Sequence, residues 1–505
     1  MRAAARVVND FLTALRSLNG VTIAGLLGAC LLLVLGRVPI QQNADDLLPA
    51  IVSLHKLTFY YWEQDRLANL LPLLTAWIGD PSGNLYAQIV LRVVAGLVAP
   101  VFFAAIVFRR PADIWRAALA SDCLLLLTAN PFLLHETFIV ASPYGTSLAC
   151  AGLAALALRR VGWPSVLLGT AGLLAAYCVN IALAIVALPL LAFCEGLLPS
   201  AERMRLLVLH TLAAFVAGLL PAAFAATYPT AFGLHPSLPA LAWSLGLLVA
   251  NLNWAFAGVV VVPVLVAMTA YRHGGLRRPA EGFQAAIVAM TGTAIVAALT
   301  IASSDHVRLN GYGARYYIPI LLMLLSGAGI AVWQSCRLVA RRLATRHAAF
   351  VLVAVLTLVG AKTRLAALGA VNEAMVEPAR AALADAVAAR AIANKADAIV
   401  GDYWDVWPAV FAAEQARHDL GGGAPAVLGI APGAVHQGRP ERSAFLARLY
   451  ARGQVRLVCL DLTLAACAAG VGVAMDLPNI PTDAASAEEV IAGGHRLRIV
   501  TLLPP

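Results

Sequence analysis

The sequence predicts an α-helical, polytopic membrane protein that carries a small C-terminal α/β domain outside the membrane. Of its 505 residues, 61% are hydrophobic and only 12% are charged, and the mean hydropathy is +0.80. Soluble globular domains carry about twice that charged fraction. The composition therefore excludes a disordered chain, a collagen-like chain and an ordinary soluble enzyme.

Charge divides the chain at Lys362. The residues before it hold 23 basic and 13 acidic side chains, whereas the residues from Lys362 onward hold 13 basic and 14 acidic ones in a much shorter stretch. We predict a transmembrane domain over residues 1–361, with its first external loop at 38–84. A helical linker at 362–395 and an α/β domain at 396–505 follow, because the second block is long and charged enough to form a small water-soluble domain.

Apolar runs in the front block are long enough to cross a hydrocarbon core, which takes about 17–25 residues. We count about eleven such runs, and segment 238–252 is either a further span or an interfacial helix. The runs are 19–37, 85–108, 115–133, 143–158, 164–179, 181–197, 206–227, 253–271, 283–302, 317–336 and 347–361.

Arginine placement predicts how these spans are oriented. If the spans alternate, 17 of the 23 basic residues of the front block fall on one side, which the positive-inside rule assigns to the cytoplasm. The N-terminus is then cytoplasmic, and an odd number of spans puts the C-terminal domain outside. The net charge of +9 is therefore an orientation signal, and no nucleic-acid partner is expected. The clusters are Arg2/Arg6/Arg16, Arg109/Arg110/Arg116, Arg159/Arg160, Arg203/Arg205, Arg272/Arg277/Arg278 and Arg337/Arg341/Arg342/Arg346.

Acidic residues follow the first predicted span directly, as Asn43-Ala44-Asp45-Asp46. Two adjacent carboxylates near a membrane repel each other, so the pair requires a cationic partner or the protonation of one member. The alternative is a solvated loop, or Asp45 as the cap of a helix that starts near Leu47.

The same loop continues with an aromatic and charged segment, Phe59-Tyr60-Tyr61-Trp62-Glu63-Gln64-Asp65-Arg66. Tyr and Trp favour the membrane interface, which also explains the segment as a simple aromatic belt. The charges of Glu63, Asp65 and Arg66 beside these rings favour a helix that lies along the membrane and walls a cleft at headgroup level.

Two later external loops are also polar. His135-Glu136 lies in a turn between two spans, but no second histidine follows at Ile139, so the spacing of a zinc helix is missing. No cofactor is expected, and a divalent metal is left open without support.

The loop Ser303 to Pro319 contains Asp305, His306, Arg308, Arg315 and Tyr316. Arg315 at the head of a span can bind a lipid phosphate through two parallel hydrogen bonds, or it snorkels to an ordinary headgroup.

Three of these features resemble the GT-C superfamily of integral-membrane glycosyltransferases. They are Asp45-Asp46 after the first span, the aromatic and charged segment from Tyr60 to Pro72, and Arg315-Tyr316-Tyr317-Ile318-Pro319 before a late span. The C-terminal block, with Val400-Gly401-Asp402-Tyr403-Trp404-Asp405-Val406-Trp407-Pro408, resembles the external α/β domains of some bacterial members.

The resemblance implies a bacterial inner-membrane enzyme that transfers a sugar from a polyprenyl-phosphate donor to a glycan or lipid acceptor at the outer leaflet. It makes Asp45 or Asp46 the base that activates the acceptor hydroxyl, and Arg315, supported by Arg308 or His306, the group that holds the donor phosphate. The expected partners are the lipid-linked sugar, its acceptor and the membrane lipids. The further candidate substrate-binding residues are Tyr316, Arg66, Glu63, His135 and Glu136.

The C-terminal block alternates strand and helix patterns, which predicts a small α/β sandwich. Strands are predicted at Ala396–Val400, Ala426–Ile430, Val455–Leu460 and Arg496–Leu502, with helices at 408–418 and 441–452. Tyr403, Trp404 and Trp407 are either core residues or a cover for the membrane cleft. An oxidising compartment permits Cys459 and Cys467 to pair, and the sequence leaves their pairing open.

Three other functions compete with glycosyl transfer. A transporter or flippase is expected to place polar residues near the middle of the membrane and to show an internal repeat, and the sequence shows no clear repeat. A ligase or polymerase of surface polysaccharide would share the external site. A membrane scaffold would use the C-terminal domain only to bind partners.

Overall fold

The computed structural model describes residues 44–55, 70–128, 134, 137–138, 144–159, 162–224, 235, 237–251, 277–309, 314–340, 378–422, 426–431, 439–475, 477, 482–492 and 494–503. These residues form two compact units. The first contains the described residues of 90–222 and 229–369, and the second contains those of 38–89, 223–228 and 370–505. The described residues of the first predicted external loop, 44–55 and 70–84, therefore fall in the second unit together with the C-terminal residues.

Apolar helices build the first unit. Pro81, Pro100 and Pro111 each stand at the first position of a helix, where the N–H that proline lacks has no partner in any case. The boundary between the units falls within the helix that begins at Pro81. The elements are Pro81–Val98, Pro100–Val107, Pro111–Thr128, Tyr144–Leu158, Trp163–Val179, Leu183–Phe193, Ser200–Phe224, Leu238–Asn251, Arg277–Ala302, Asp305–Leu309, the 3-10 helix Ala314–Tyr317, and Ile318–Ala340.

Four helical stretches among the described residues are long and apolar enough to cross a membrane. They coincide with four predicted spans, so the general helical class is confirmed, but the count of eleven spans is not. Three other predicted spans, 143–158, 164–179 and 181–197, form apolar helices of 15, 17 and 11 residues. Predicted spans 19–37, 253–271 and 347–361 lie outside the described residues. The four stretches are Pro81–Val107, Ser200–Leu220, Ala285–Ala302 and Arg315–Gln334.

Contacts within the first unit bring together helix ends that lie far apart in sequence. Arg109 forms an ion pair with Glu202, with 2.5 Å between Nη1 and Oε2. Trp333 donates a hydrogen bond from Nε1 to Asp113 Oδ1 at 3.2 Å, and the Arg116 guanidinium lies 5.2 Å from the centre of the Trp333 ring. Alternating spans require these ends to share one side. The identity of that side stays a prediction from the positive-inside rule.

The second unit combines helices from the loop with the C-terminal α/β fold. We call Ala44–His55 the loop helix and Tyr403–Asp419 the tail helix. The tail helix begins after Asp402, whose side chain accepts a hydrogen bond from the Trp404 N–H at 2.9 Å and so caps the first turn. The other helices are Leu70–Thr75, the first part of Pro81–Val98, Pro378–Ala393, Arg439–Arg452 and Leu464–Met475.

A five-stranded mixed sheet forms the centre of the C-terminal residues. The strands are β1 (Ala398–Val400), β2 (Leu428–Ile430), β3 (Val455–Leu460), β4 (Thr482–Ala492) and β5 (His495–Leu502). Their order is β2-β1-β3-β5-β4, with β1 parallel to both β2 and β3 and β5 antiparallel to β3 and β4. Every residue of β1 and β2 is buried, which is typical of parallel strands covered on both faces.

The four predicted strands are confirmed in place, and two further elements were not predicted. Strand β4 reads Thr-Asp-Ala-Ala-Ser-Ala-Glu-Glu-Val-Ile-Ala, which is poor in β-branched and aromatic residues. It forms because β5 supplies a hydrogen-bonding partner along most of its length. The helix Leu464–Met475 is rich in Ala and Gly, and it buries Cys467, Val471 and Met475 in the core of the sheet.

Cys459 on β3 and Cys467 on the following helix form a disulfide, with 6.1 Å between their Cα atoms. The sequence had left this pairing open. Both cysteines are fully buried in the same apolar core as Phe445 and Leu449, so the bond links the central strand to a helix through the interior.

Replacing Cys459 and Cys467 together with serine should lower the free energy of unfolding of the second unit by about 2–3 kcal/mol, because the short cross-linked loop gains freedom when unfolded. Thermal unfolding of the detergent-solubilised protein, followed by tryptophan fluorescence, measures this change. The C150S variant is the control, because Cys150 is a free, half-buried cysteine in the helix Tyr144–Leu158. Equal melting temperatures for the double variant and C150S would contradict the prediction.

Candidate functional site

Asp45 and Asp46 lie in the first turn of the loop helix, which begins at Ala44 and not near Leu47. Carboxylates at this position interact favourably with the positive end of the helix dipole. The two side chains differ in environment, because Asp45 is half-buried whereas Asp46 is only 1% exposed. The structure therefore separates two residues that the sequence could not rank.

Asp45 accepts a hydrogen bond from a residue of the C-terminal domain. The Tyr403 hydroxyl donates to Asp45 Oδ1 at 2.8 Å, across 358 positions of sequence. Tyr403 is the first residue of the tail helix. Hydrogen bonds to an ionised acceptor are stronger than neutral ones, so this contact restricts the orientation of the Asp45 carboxylate.

Buried polar side chains fix the described residues 44–55 and 70–88, which we call the loop segment. Asn84 donates from Nδ2 to Ser53 Oγ at 2.9 Å, and Ser53 Oγ donates to the Pro72 carbonyl at 2.9 Å. Gln88 donates to the carbonyl of Pro49, in the middle of the loop helix, at 3.1 Å and to Thr75 Oγ1 at 3.1 Å. Buried polar groups of this kind are costly unless they are bonded, so the network specifies one arrangement of the segment.

A second connection joins the far end of the loop helix to the tail helix. His55 Nε2 lies 3.2 Å from Glu414 Oε1, and Arg417 donates to Glu414 Oε2 from Nε at 2.9 Å and from Nη2 at 2.6 Å. The Val427 N–H also donates to Glu414 Oε1, at 3.0 Å. The Glu414 side chain is fully buried, so this carboxylate is surrounded by donors in a low-dielectric environment.

These donors decide the protonation state of Glu414. Burial alone raises the pKa of this carboxyl, but the hydrogen bonds and positive charges of His55 and Arg417 outweigh it and lower the pKa from 4.5 to about 2. A pKa that is lower in the folded state stabilises the fold above the unfolded pKa. The contribution is therefore complete above about pH 4.5 and is lost as the pH falls toward 2.

The first unit holds the remaining described candidates. Asp305 begins the short helix Asp305–Leu309, and its carboxylate lies 3.0 Å from Arg308 Nη2 and 2.8 Å from His235 Nδ1. Arg315 lies in the 3-10 helix that precedes Ile318–Ala340, where its guanidinium stacks 5.2 Å from the centre of the Tyr316 ring. Arg315 Nη2 also donates to the Tyr316 hydroxyl at 3.3 Å.

These contacts qualify the predicted roles of the basic residues. Arg308 pairs with Asp305 and is more than half exposed. A guanidinium carries several N–H donors, so Arg308 can bind a phosphate, although it shares these donors with the Asp305 carboxylate. His306 lies on the same short helix, and its side chain is outside the described residues. Glu63, Arg66, His135 and Glu136 also lie outside the described residues, so their predicted roles stay predictions.

Sequence reasoning missed several buried polar groups. In the first unit, the Tyr177 hydroxyl and His210 Nδ1 are 2.8 Å apart and both residues are buried. Asp122 lies 1% exposed within Pro111–Thr128, and neither of its carboxyl oxygens has a hydrogen-bond partner among the described residues. An acidic residue inside an apolar run was the available signal for Asp122. No local signal identifies Glu414, because its partners come from distant segments.

Metal binding has no support from the described part of the chain, which contains no group of three or more His, Cys, Asp or Glu residues arranged to hold an ion. The described candidate residues carry carboxylates, guanidinium groups and a tyrosine hydroxyl. A half-buried carboxylate can accept a proton, and a guanidinium can bind an anionic oxygen.

The E414Q variant should lose about 3 kcal/mol of unfolding free energy at pH 6, and the difference from the unaltered protein should shrink as the pH approaches 2. Thermal unfolding between pH 2 and pH 6 measures this. The E489Q variant is the control, because Glu489 pairs with Arg496 and Arg498 on a half-exposed surface where ion pairs contribute little. A difference that stays constant over the whole pH range would refute the assignment.

In comparisons with known proteins, the chain matches no protein-family model and none of the curated proteins. The likeness to GT-C glycosyltransferases thus rests on the three sequence features named above.

Proposed function

We propose that the protein is a glycosyltransferase of the bacterial cytoplasmic membrane that moves a sugar from polyprenyl phosphate to a cell-envelope acceptor. The observation that carries the proposal is the state of Asp45, a half-buried carboxylate held by a hydrogen bond at the first turn of the loop helix. A general base needs this combination of restricted orientation and access to solvent. Asp46 beside it is enclosed and has no such access.

The groups that the chain provides account for the bond formed, the bond broken and the proton transferred in this reaction. The acceptor hydroxyl oxygen attacks the anomeric carbon of the donor, and its proton passes to the Asp45 carboxylate. The bond between the anomeric carbon and the phosphate oxygen breaks, and polyprenyl phosphate leaves with the electron pair. A planar guanidinium with parallel donors is well suited to stabilise the negative charge of the leaving phosphate, and Arg315 is the residue that the GT-C resemblance implies for this role.

Three further properties support this proposal. The apolar helices fit a lipid-linked donor, whose polyprenyl chain stays in the membrane. A lipid phosphate is already a competent leaving group, so no nucleotide-binding loop is required, and the sequence contains no glycine-rich P-loop. The disulfide of the C-terminal domain fits a site that works on the outer face of the membrane. A polysaccharide ligase or polymerase would use the same groups on a larger donor.

A transporter or flippase is the second candidate function, and Asp122 is the observation that favours it. A carboxyl buried in an apolar helix without a hydrogen-bond partner among the described residues is costly. Ionisable residues at such positions commonly mark ion or proton pathways. The buried contact between Tyr177 and His210 adds a second polar group to the same unit.

The D45N variant should lower sugar transfer about 10²–10⁴-fold, because the amide cannot accept the proton of the acceptor hydroxyl. The assay uses purified protein in proteoliposomes with a panel of polyprenyl-phosphate pentoses and hexoses and an envelope extract, and it measures released polyprenyl phosphate by mass spectrometry. The D385N variant is the control, because Asp385 is exposed on the helix Pro378–Ala393. Full activity in D45N would show that another group is the base.

The D122N variant separates the two candidate functions. If glycosyl transfer is the function, D122N keeps releasing polyprenyl phosphate and D45N does not. If transport is the function, D122N stops translocation of a fluorescent lipid-linked glycan across proteoliposomes, and D45N leaves it intact. Both variants are measured in both assays, with insertion into vesicles checked by flotation.

A further inference from the structure

The tail helix contacts the loop segment at three places along its length. Its first residue, Tyr403, hydrogen bonds to Asp45, and Glu414 near its end faces His55. Gln415 donates from Nε2 to Ser82 Oγ at 2.7 Å, at the start of the helix Pro81–Val98. Both ends of the loop helix therefore contact the tail helix, and these contacts fix how the two helices align.

The ring of Tyr403 is held from its own side of the contact as well. It packs edge to face against Trp404, with 5.2 Å between ring centres, and against Trp407, with 6.4 Å between ring centres. Trp407 is fully buried and lies over Gly429 of β2, where an added Cβ would come within 2.5 Å of the indole ring. Trp407 is thus a core residue. Because it contacts both β2 and the Tyr403 ring, it restricts the position of that ring relative to the sheet.

Asp402 adds a second constraint on the same residue. Its side chain caps the tail helix and so stabilises the backbone of the first turn, which includes Tyr403. A hydroxyl whose ring and backbone are both constrained loses little further freedom when it donates a hydrogen bond. It can therefore hold the Asp45 carboxylate in one orientation.

We propose that Tyr403 is a positioning residue for Asp45, so that the C-terminal domain is a working part of the candidate site. The inference rests on the proposed function and deepens it. Tyr403 sets the direction in which the Asp45 carboxylate accepts the proton of the acceptor hydroxyl. The hydrogen bond from Tyr403 also favours Asp45 as the base over Asp46, which is enclosed.

The roles of the two residues predict a specific kinetic pattern. Removing the hydroxyl in Y403F leaves the ring in place, so the variant should lower kcat about 10- to 100-fold and leave KM for the donor within about twofold. In D45E the carboxylate is displaced by one methylene and loses the contact. The Y403F change should therefore cost less than about twofold in kcat when it is added to D45E, because the two substitutions remove the same interaction.

The experiment measures kcat and KM for polyprenyl phosphate release by the full-length protein, Y403F, D45E and the double variant in proteoliposomes. Y450F is the matched control, because Tyr450 is 62% exposed on the helix Arg439–Arg452. Thermal unfolding of each variant shows whether a loss of activity follows from a loss of stability. A melting temperature for Y403F close to that of Y450F, together with the predicted fall in kcat, supports positioning.

Two outcomes overturn this inference without touching the proposed function. One is a Y403F variant with full kcat, and the other is a Y403F effect of equal size in the D45 and D45E backgrounds. Failure of the proposed function gives a different result, because the unaltered protein then releases no polyprenyl phosphate from any donor of the panel.

Discussion

The buried carboxylate of Glu414 is the interaction on which the second unit depends. It is fully enclosed, and it accepts hydrogen bonds from Arg417 and the Val427 N–H while His55 faces it from the loop helix. A charge in such a place is tolerated only when its partners are all present. His55 of the loop helix must therefore pack against the C-terminal domain to complete the surroundings of this group, although more than 350 positions separate His55 from Glu414 in sequence.

The same packing explains why the candidate base lies where it does. Once His55 is placed against Glu414, the other end of the loop helix meets the start of the tail helix, and Asp45 reaches the Tyr403 hydroxyl. The polar network of Ser53, Asn84 and Gln88 prevents the loop segment from taking another arrangement. A carboxylate on an unsupported loop would have no fixed direction, and fixed direction is what a general base requires.

In the first unit, several charged side chains lie at or near helix ends, where they pair with one another or with polar groups. Arg109 pairs with Glu202, and Trp333 bonds to Asp113, so helix ends rich in arginine lie together. The contact of His235 with Asp305 joins two segments of the predicted opposite side. Among the described residues, Arg92, Asp122 and the pair of Tyr177 and His210 are buried polar groups within the helices themselves. Asp122 and the pair keep transport as the rival explanation.

The sequence by itself determined the helical class, the four helices that are long and apolar enough to cross a membrane, and strands β1, β2, β3 and β5. These features follow from local composition and periodicity, which act over a few neighbouring residues. The extent of the loop helix, strand β4 and the pairing of Cys459 with Cys467 depend on partners elsewhere in the chain. Only the tertiary structure decided that Tyr403 holds Asp45 and that Glu414 faces His55, because no local pattern encodes which buried polar groups will meet across hundreds of residues.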